Sequence, residues 1–200
     1  NFAILSLTIF HNKIYLVEGD YRILKISKNK FKETKKIKYH PIYDNPPDGD
    51  ISVDAVTGTA MLIDRDKLKL INDWDTNIFN YFEDMDLCLR FRIKGFEIIK
   101  IRNAEVDHDA FSSHDENFSK QMDFSRNWHY SWSRFYFLKK HTTILNAYKF
   151  GISLFLKSIM KSLFYIFFKK SKSITHFAKA YGILFAILNL ESKYRPQVKI

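Results

Sequence analysis

This 200-residue chain has little cysteine, glycine or proline and, over its last third, almost no acid. Its one cysteine, Cys88, excludes an internal disulfide and a cysteine-built zinc site. A lone thiol suits a reducing compartment. Six glycines and four prolines are too few for a low-complexity or disordered chain. Acids are missing where bases are not. From His141 to Ile200, ten Lys or Arg face one acid, Glu191, so this stretch carries +9 of the chain's +10. Such asymmetry points to an anionic partner, a membrane surface or a nucleic acid. A second basic run, Arg22 to Lys38, reads as a solvated lysine-rich face.

Apolar residues are plentiful at 46%, with 19 phenylalanines, which is ample for the core of one domain plus a tail. Residues 2–10 form an apolar run of strand length. Residues 13–27 read as a hairpin about Glu18-Gly19-Asp20. A proline-punctuated loop follows over 38–50. Residues 52–64 read as two extended pieces broken at Gly58, and 64–71 as a short helix capped by Asp64. After a loop, "EDMDLCLRFRIKG" predicts a helix closed by Gly95. Residues 96–101 and 104–108 read as strands. Helices are expected over about 118–140, 144–168 and 173–190. The division expected is 1–115, mixed α and β, and 116–200, a basic helical tail.

"NYFEDMDLCLRFRIKG" (80–95) carries the densest signal, with Glu83, Asp84 and Asp86 beside Tyr81 and Phe82. Acids at a helix N-terminus satisfy unpaired N–H groups and complement the dipole. Asp86 and Arg90, four apart, can pair across one turn. That structural reading explains the cluster without chemistry. A calcium hand over 73–84 fails, because position six is Ile78 where glycine is needed and position twelve is Asp84 rather than glutamate. The isolated Gly58 marks a place where backbone approaches another group closely.

A functional reading comes from the order of the pieces. Gly58 to Ile63, then Phe82 to Arg90 with its E-D-x-D-L-x-x-R pattern, then Lys94-Gly95, a strand and a late His108 form a series. It resembles the C-terminal half of the catalytic domain of family-two inverting glycosyltransferases, the rhamnosyltransferase-like members especially. "SRFYFLKKH" (133–141) resembles a pattern that follows in that family. The resemblance covers about 50–140. It implies an α/β fold, a partial GT-A (Rossmann-like) domain followed by C-terminal helices. It also implies a nucleotide-diphosphate-sugar donor, a hydroxyl of a glycan or lipid-linked acceptor, and a divalent metal, Mg²⁺ or Mn²⁺. Under it Asp84 is the general base and Glu83 orients the acceptor or the base. Gly58, Trp74, Tyr81 and Phe82 line the acceptor side, Asp86 and Arg90 give structural support, and His108 is a metal ligand. A strand-end histidine without ligand role is the alternative for His108. The family's nucleotide-binding half and its D-x-D metal motif should precede residue 1. The chain therefore reads as a fragment with an incomplete metal site, although a catalytically inactive partner of a complete transferase has the same features.

Residues 148–168 are strongly apolar, but Lys157 and Lys161 interrupt them. A central Lys costs about 2.5–3.5 kcal/mol in a spanning helix. A helix lying in the membrane interface, its lysines reaching anionic lipid, fits this pattern, as does a hairpin packed on the catalytic domain. The expected location is cytoplasmic and peripheral, at the inner face of the cytoplasmic membrane, with no nucleic acid bound. The rival function is a basic membrane-surface binding module.

Overall fold

The structure, a computed structural model, describes the backbone of segments 6–10, 13–18, 22–27 and 30–33, and residues 50–101 and 118–196 with side chains. The chain divides into two units. The first holds the described residues up to Asp75 and from Asp84 to residue 101. The second holds Thr76–Glu83 and the described residues from 118 on.

The first unit contains an antiparallel meander, β1 (Ser6–Phe10), β2 (Lys13–Glu18), β3 (Arg22–Ser27) and β4 (Lys30–Glu33), in that order. Glu18 pairs with Arg22 and Leu16 with Leu24, which closes the hairpin expected at Glu18-Gly19-Asp20. Strand β4 was hidden in the sequence because its lysines are poor strand formers and read as a charge run. A second, two-stranded sheet pairs β5 (Ile51–Val53) with β6 (Ile98–Lys100), also antiparallel, with Val53 opposite Ile98. The second extended piece expected after Gly58 is irregular backbone. The strand expected at 104–108 lies outside the described residues. All strand pairings among the described residues are antiparallel. The parallel crossovers of a Rossmann-like sheet are not among them, so the coarse class, mixed α and β with the helices predominant, is what stands here.

Two helices complete this unit. Helix α1 (Arg65–Leu70) starts where the Asp64 carboxylate accepts from the N–H groups of Asp66 and Lys67, at 3.0 and 3.2 Å. Helix α2 (Glu83–Ile93) begins at the last residue of the second unit. It ends in a left-handed Gly95, φ +86°. There the N–H of Phe96 bonds the Phe91 carbonyl at 3.1 Å and that of Gly95 the Arg92 carbonyl at 3.0 Å. The rings of Phe91 and Phe96 meet over this turn at 6.0 Å. That is the two-bond glycine stop with its hydrophobic contact.

The second unit packs α3 (Ser119–His141), α4 (Ile144–Ile166) and α5 (Lys170–Ile187), within a few residues of the helices expected from periodicity. Trp128, Phe135, Ala147 and Ile183 form its core. Gly182 lets α5 approach α3, because a Cβ there would collide with the Trp128 carbonyl oxygen. The expected boundary at 115 needs one revision, since Thr76–Glu83 also belong to this helical unit. Ile78 is buried there, Phe79 lies on His129, and the Ser133 hydroxyl donates to the Asn80 carbonyl at 2.7 Å. Among the described residues no helix is long and apolar enough to cross a membrane.

The two glycines separate two kinds of strain. Gly182→Ala forces the α3–α5 contact apart, and overpacking of this kind costs about 1–3 kcal/mol. Gly95→Ala meets no atom within 4 Å and carries only the left-handed backbone penalty, about 1–2 kcal/mol. Denaturation followed by helical circular dichroism should show the larger drop in midpoint for Gly182→Ala. Wild-type stability of Gly182→Ala would contradict the close approach.

Candidate active site

The N-terminal turn of α2 meets the Gly58 loop. One Asp84 carboxylate oxygen accepts from the Gly58 N–H at 2.9 Å, across 26 residues of sequence. The other accepts from the Met85 N–H at 2.7 Å. A Cβ at Gly58 would sit 3.6 Å from the Asp84 Cβ, an ordinary contact. The site therefore uses the backbone N–H of residue 58, and the close approach inferred from the glycine does not require its missing side chain. Asp84 is only partly buried, and a carboxylate oxygen retains acceptor capacity beyond one N–H.

One turn on, Asp86 is fully buried and paired with Arg90 Nε at 2.8 Å. The same guanidinium donates to the carbonyls of Ile71 and Asp73, at 2.5 and 2.6 Å. Those carbonyls are presented by a turn whose Asn72 and Asp73 both have positive φ, 61° and 56°. Asn and Asp tolerate that region better than other residues with a Cβ. Trp74, next in the chain, is 38% exposed. Cys88 is buried, with its Sγ 3.8 Å from the Val56 carbonyl. Burial pushes its thiol up to about 11, so it stays protonated and is no nucleophile.

Asp54 was not singled out by any motif. It is 2% exposed and lies 3.6 Å from Arg92 Nε. Among the described residues neither of its oxygens has a hydrogen-bond donor. Burial pushes its carboxyl up to about 6, with Arg92 acting against the shift. An acid inside the apolar run "ISVDAV" was the available signal.

In the helical unit, Tyr81 and Phe82 have successive left-handed conformations, φ 64° and 69°. For bulky residues each costs roughly 1–2 kcal/mol. Ring packing offsets it. Phe82 lies 5.4 Å from Tyr130 and 5.5 Å from Phe137, and Tyr81 meets Tyr130 edge-on at 5.7 Å. Phe82 is 7% exposed, so the pocket-lining role expected of it is corrected: it is a core side chain. Tyr81 is half-buried, and that burial raises its phenol pKa. Glu83 is partly buried at the start of α2.

The same unit contains a cavity of about 430 Å³ that no sequence motif announced, lined among others by Asn77, Trp132, Tyr136, Lys139, Asn189 and Arg195. Trp132 and Tyr136 stack at 5.1 Å. His129 is fully buried nearby in the core. Its Nε2 lies 2.9 Å from the Tyr194 carbonyl and its Nδ1 3.0 Å from the Ser192 hydroxyl. The carbonyl can only accept, so the tautomer assigned carries hydrogen on Nε2. Burial lowers its pKa to about 4, and a neutral structural histidine results. His108 lies outside the described residues. Among the described residues no group of three or more His, Cys, Asp or Glu is placed to hold a metal ion.

Two measurements test this geometry. Arg90→Leu removes the ion pair of the buried Asp86 carboxylate and should cost about 3–5 kcal/mol, whereas Asp86→Leu/Arg90→Leu together should cost less. A double variant less stable than Arg90→Leu would contradict the pairing. Asp54 keeps its proton to about pH 6 when folded but releases it near 3.8 when unfolded. Its contribution is thus fully present below 3.8 and is lost as pH rises through about 6. Asp54→Asn should flatten the fall in denaturation midpoint across that window, and an unchanged slope would contradict the burial of this acid.

Compared with protein-family models, with curated proteins and with solved structures, the chain matches none.

Proposed function

We propose that this chain is the acceptor-side part of an inverting glycosyltransferase of the GT-A type, with Asp84 as general base. The observation that supports it is the hydrogen bond from the Gly58 N–H to Asp84. It joins two pieces of the motif series that lie far apart in sequence, and it aims a partly exposed carboxylate from the first turn of α2. A residue serving only as a helix cap needs no partner in a distant loop.

The reaction is one in-line displacement. The acceptor hydroxyl gives its proton to the Asp84 carboxylate as its oxygen bonds the anomeric carbon. The bond from that carbon to the donor phosphate breaks on the opposite face, and the nucleoside diphosphate leaves with the electron pair. A positioned base contributes roughly 10²–10⁴-fold. The Gly58 N–H and the Met85 N–H fix the carboxylate's orientation, and a fixed orientation is what makes proton transfer effective. Asp86 and Arg90 hold the helix that carries it. Trp74, by its exposure, offers a ring face to the apolar side of a sugar. In this reading Glu83 orients the acceptor. A divalent cation would neutralise the leaving diphosphate, but the described residues do not form its site, and the proton transfer above uses only this chain's own groups.

The rival is a purely structural Asp84 in a catalytically inactive surface-binding module. The test is Asp84→Asn in the full-length protein, assayed for transfer from a panel of nucleotide sugars. Asparagine keeps the shape and one oxygen acceptor but cannot take the proton. Turnover should fall at least about 100-fold, while the loss of one N–H acceptor lowers the melting temperature only slightly and leaves the protein folded at the assay temperature. Near-normal turnover, or a loss that only tracks unfolding, would overturn the base assignment.

A further inference from the structure

Helix α4 is built inside out over its second half. Its buried positions are Ala147, Gly151, Ser158 and Ser162, all small. In its first half Tyr148, Phe150, Leu154 and Phe155 pack partly on the core, but in its second half large apolar side chains face outward: Leu156 is 54% exposed, Met160 70%, Leu163 58% and Phe167, just past its end, 85%. A surface helix in water shows the opposite arrangement, with its apolar stripe against the core. Small residues and serines at the helix–helix contact, with bulky apolar groups outside, suit packing in a lipid environment. The α4–α5 contact has that form. The Ser173 hydroxyl donates to the Ser162 carbonyl at 2.8 Å, and the Ser162 hydroxyl to the Ser173 carbonyl at 3.1 Å.

Charge identifies the kind of surface. Between Asp123 and Glu191 the sequence has no acid at all, only Lys and Arg. Lys157 and Lys161 are exposed and lie on one flank of the outward stripe, roughly 100–140° round the helix from Leu156. At the α4–α5 turn, exposed Phe167 and Phe168 are followed by exposed Lys169 and Lys170. A second copy of the chain would bring the same lysines together and repel. An anionic lipid surface accepts both the rings and the lysines.

We infer that the α4–α5 hairpin docks on an anionic lipid bilayer. The outward face of α4 lies in the interface plane, and Phe167 and Phe168 insert at the turn. This does not rest on the glycosyltransferase reading, and its readout is independent of any activity.

The test is flotation of the full chain with vesicles of phosphatidylcholine alone or mixed with phosphatidylglycerol. Binding is expected only to the mixed vesicles, weakening as salt rises. Lys157→Gln/Lys161→Gln should weaken it about 25-fold, roughly fivefold per lysine near the surface. Phe167→Ser/Phe168→Ser should abolish it. Both variants change exposed residues, so their circular dichroism should match wild type. Equal binding to neutral vesicles overturns the inference, as does binding unaffected by the phenylalanine variant. Resistance to high-salt and carbonate washes, or a salt-stable dimer that binds neither vesicle, also overturns it.

Discussion

The guanidinium of Arg90 holds together two pieces of chain, α2 and the turn after α1, that secondary structure alone would leave independent. It neutralises the buried Asp86 one turn earlier on α2 and takes up the carbonyls of Ile71 and Asp73 just beyond α1. A planar donor fork can satisfy all three at once, where a lysine would act as a point charge. Removing an ionised carboxylate from water is unfavourable by several kcal/mol unless such a partner is present. The pair therefore specifies one arrangement more than it adds stability. Because α2 is held there, the first-turn carboxylate of Asp84 reaches the Gly58 N–H.

Local signals in the sequence were legible where the physics is local. Asp64 as a cap, Gly95 as a helix stop, the hairpin at Glu18-Gly19-Asp20 and the three long helices depend on a few neighbouring residues. The Asp86–Arg90 pair, one helical turn apart, belongs to the same class. Tertiary features were less legible. Phe82 sits beside the acids in sequence, but a left-handed backbone at Tyr81 and Phe82 turns its ring into the helical core against Phe137. Nothing in the letters announces two successive bulky residues at positive φ. Asp54 was missed because its peculiarity is burial. The role of residues 76–83 in the helical unit was missed because a loop's packing partners come from α3, fifty residues on.

The helical hairpin shows the opposite relation. Periodicity located α4 and its interrupting lysines, but only packing reveals which side faces the neighbouring helix. That side carries small residues and serines, and in the second half of the helix the large apolar side chains are left outward. Gly151 and Gly182 follow from the same economy of space, since each lets a helix come close to its neighbour. Apolar content alone therefore did not distinguish a core helix from one with an outward apolar face.

The proposed mechanism turns on a single displacement driven by one positioned base, and its most direct signature would be stereochemical. The measurement is the anomeric configuration, by proton coupling constants, of the product that the full-length protein forms from a nucleotide sugar of known configuration. The account predicts a product linked with the configuration opposite to the donor's. A product that retains the donor's configuration would require two displacements or a front-face route, and would contradict it.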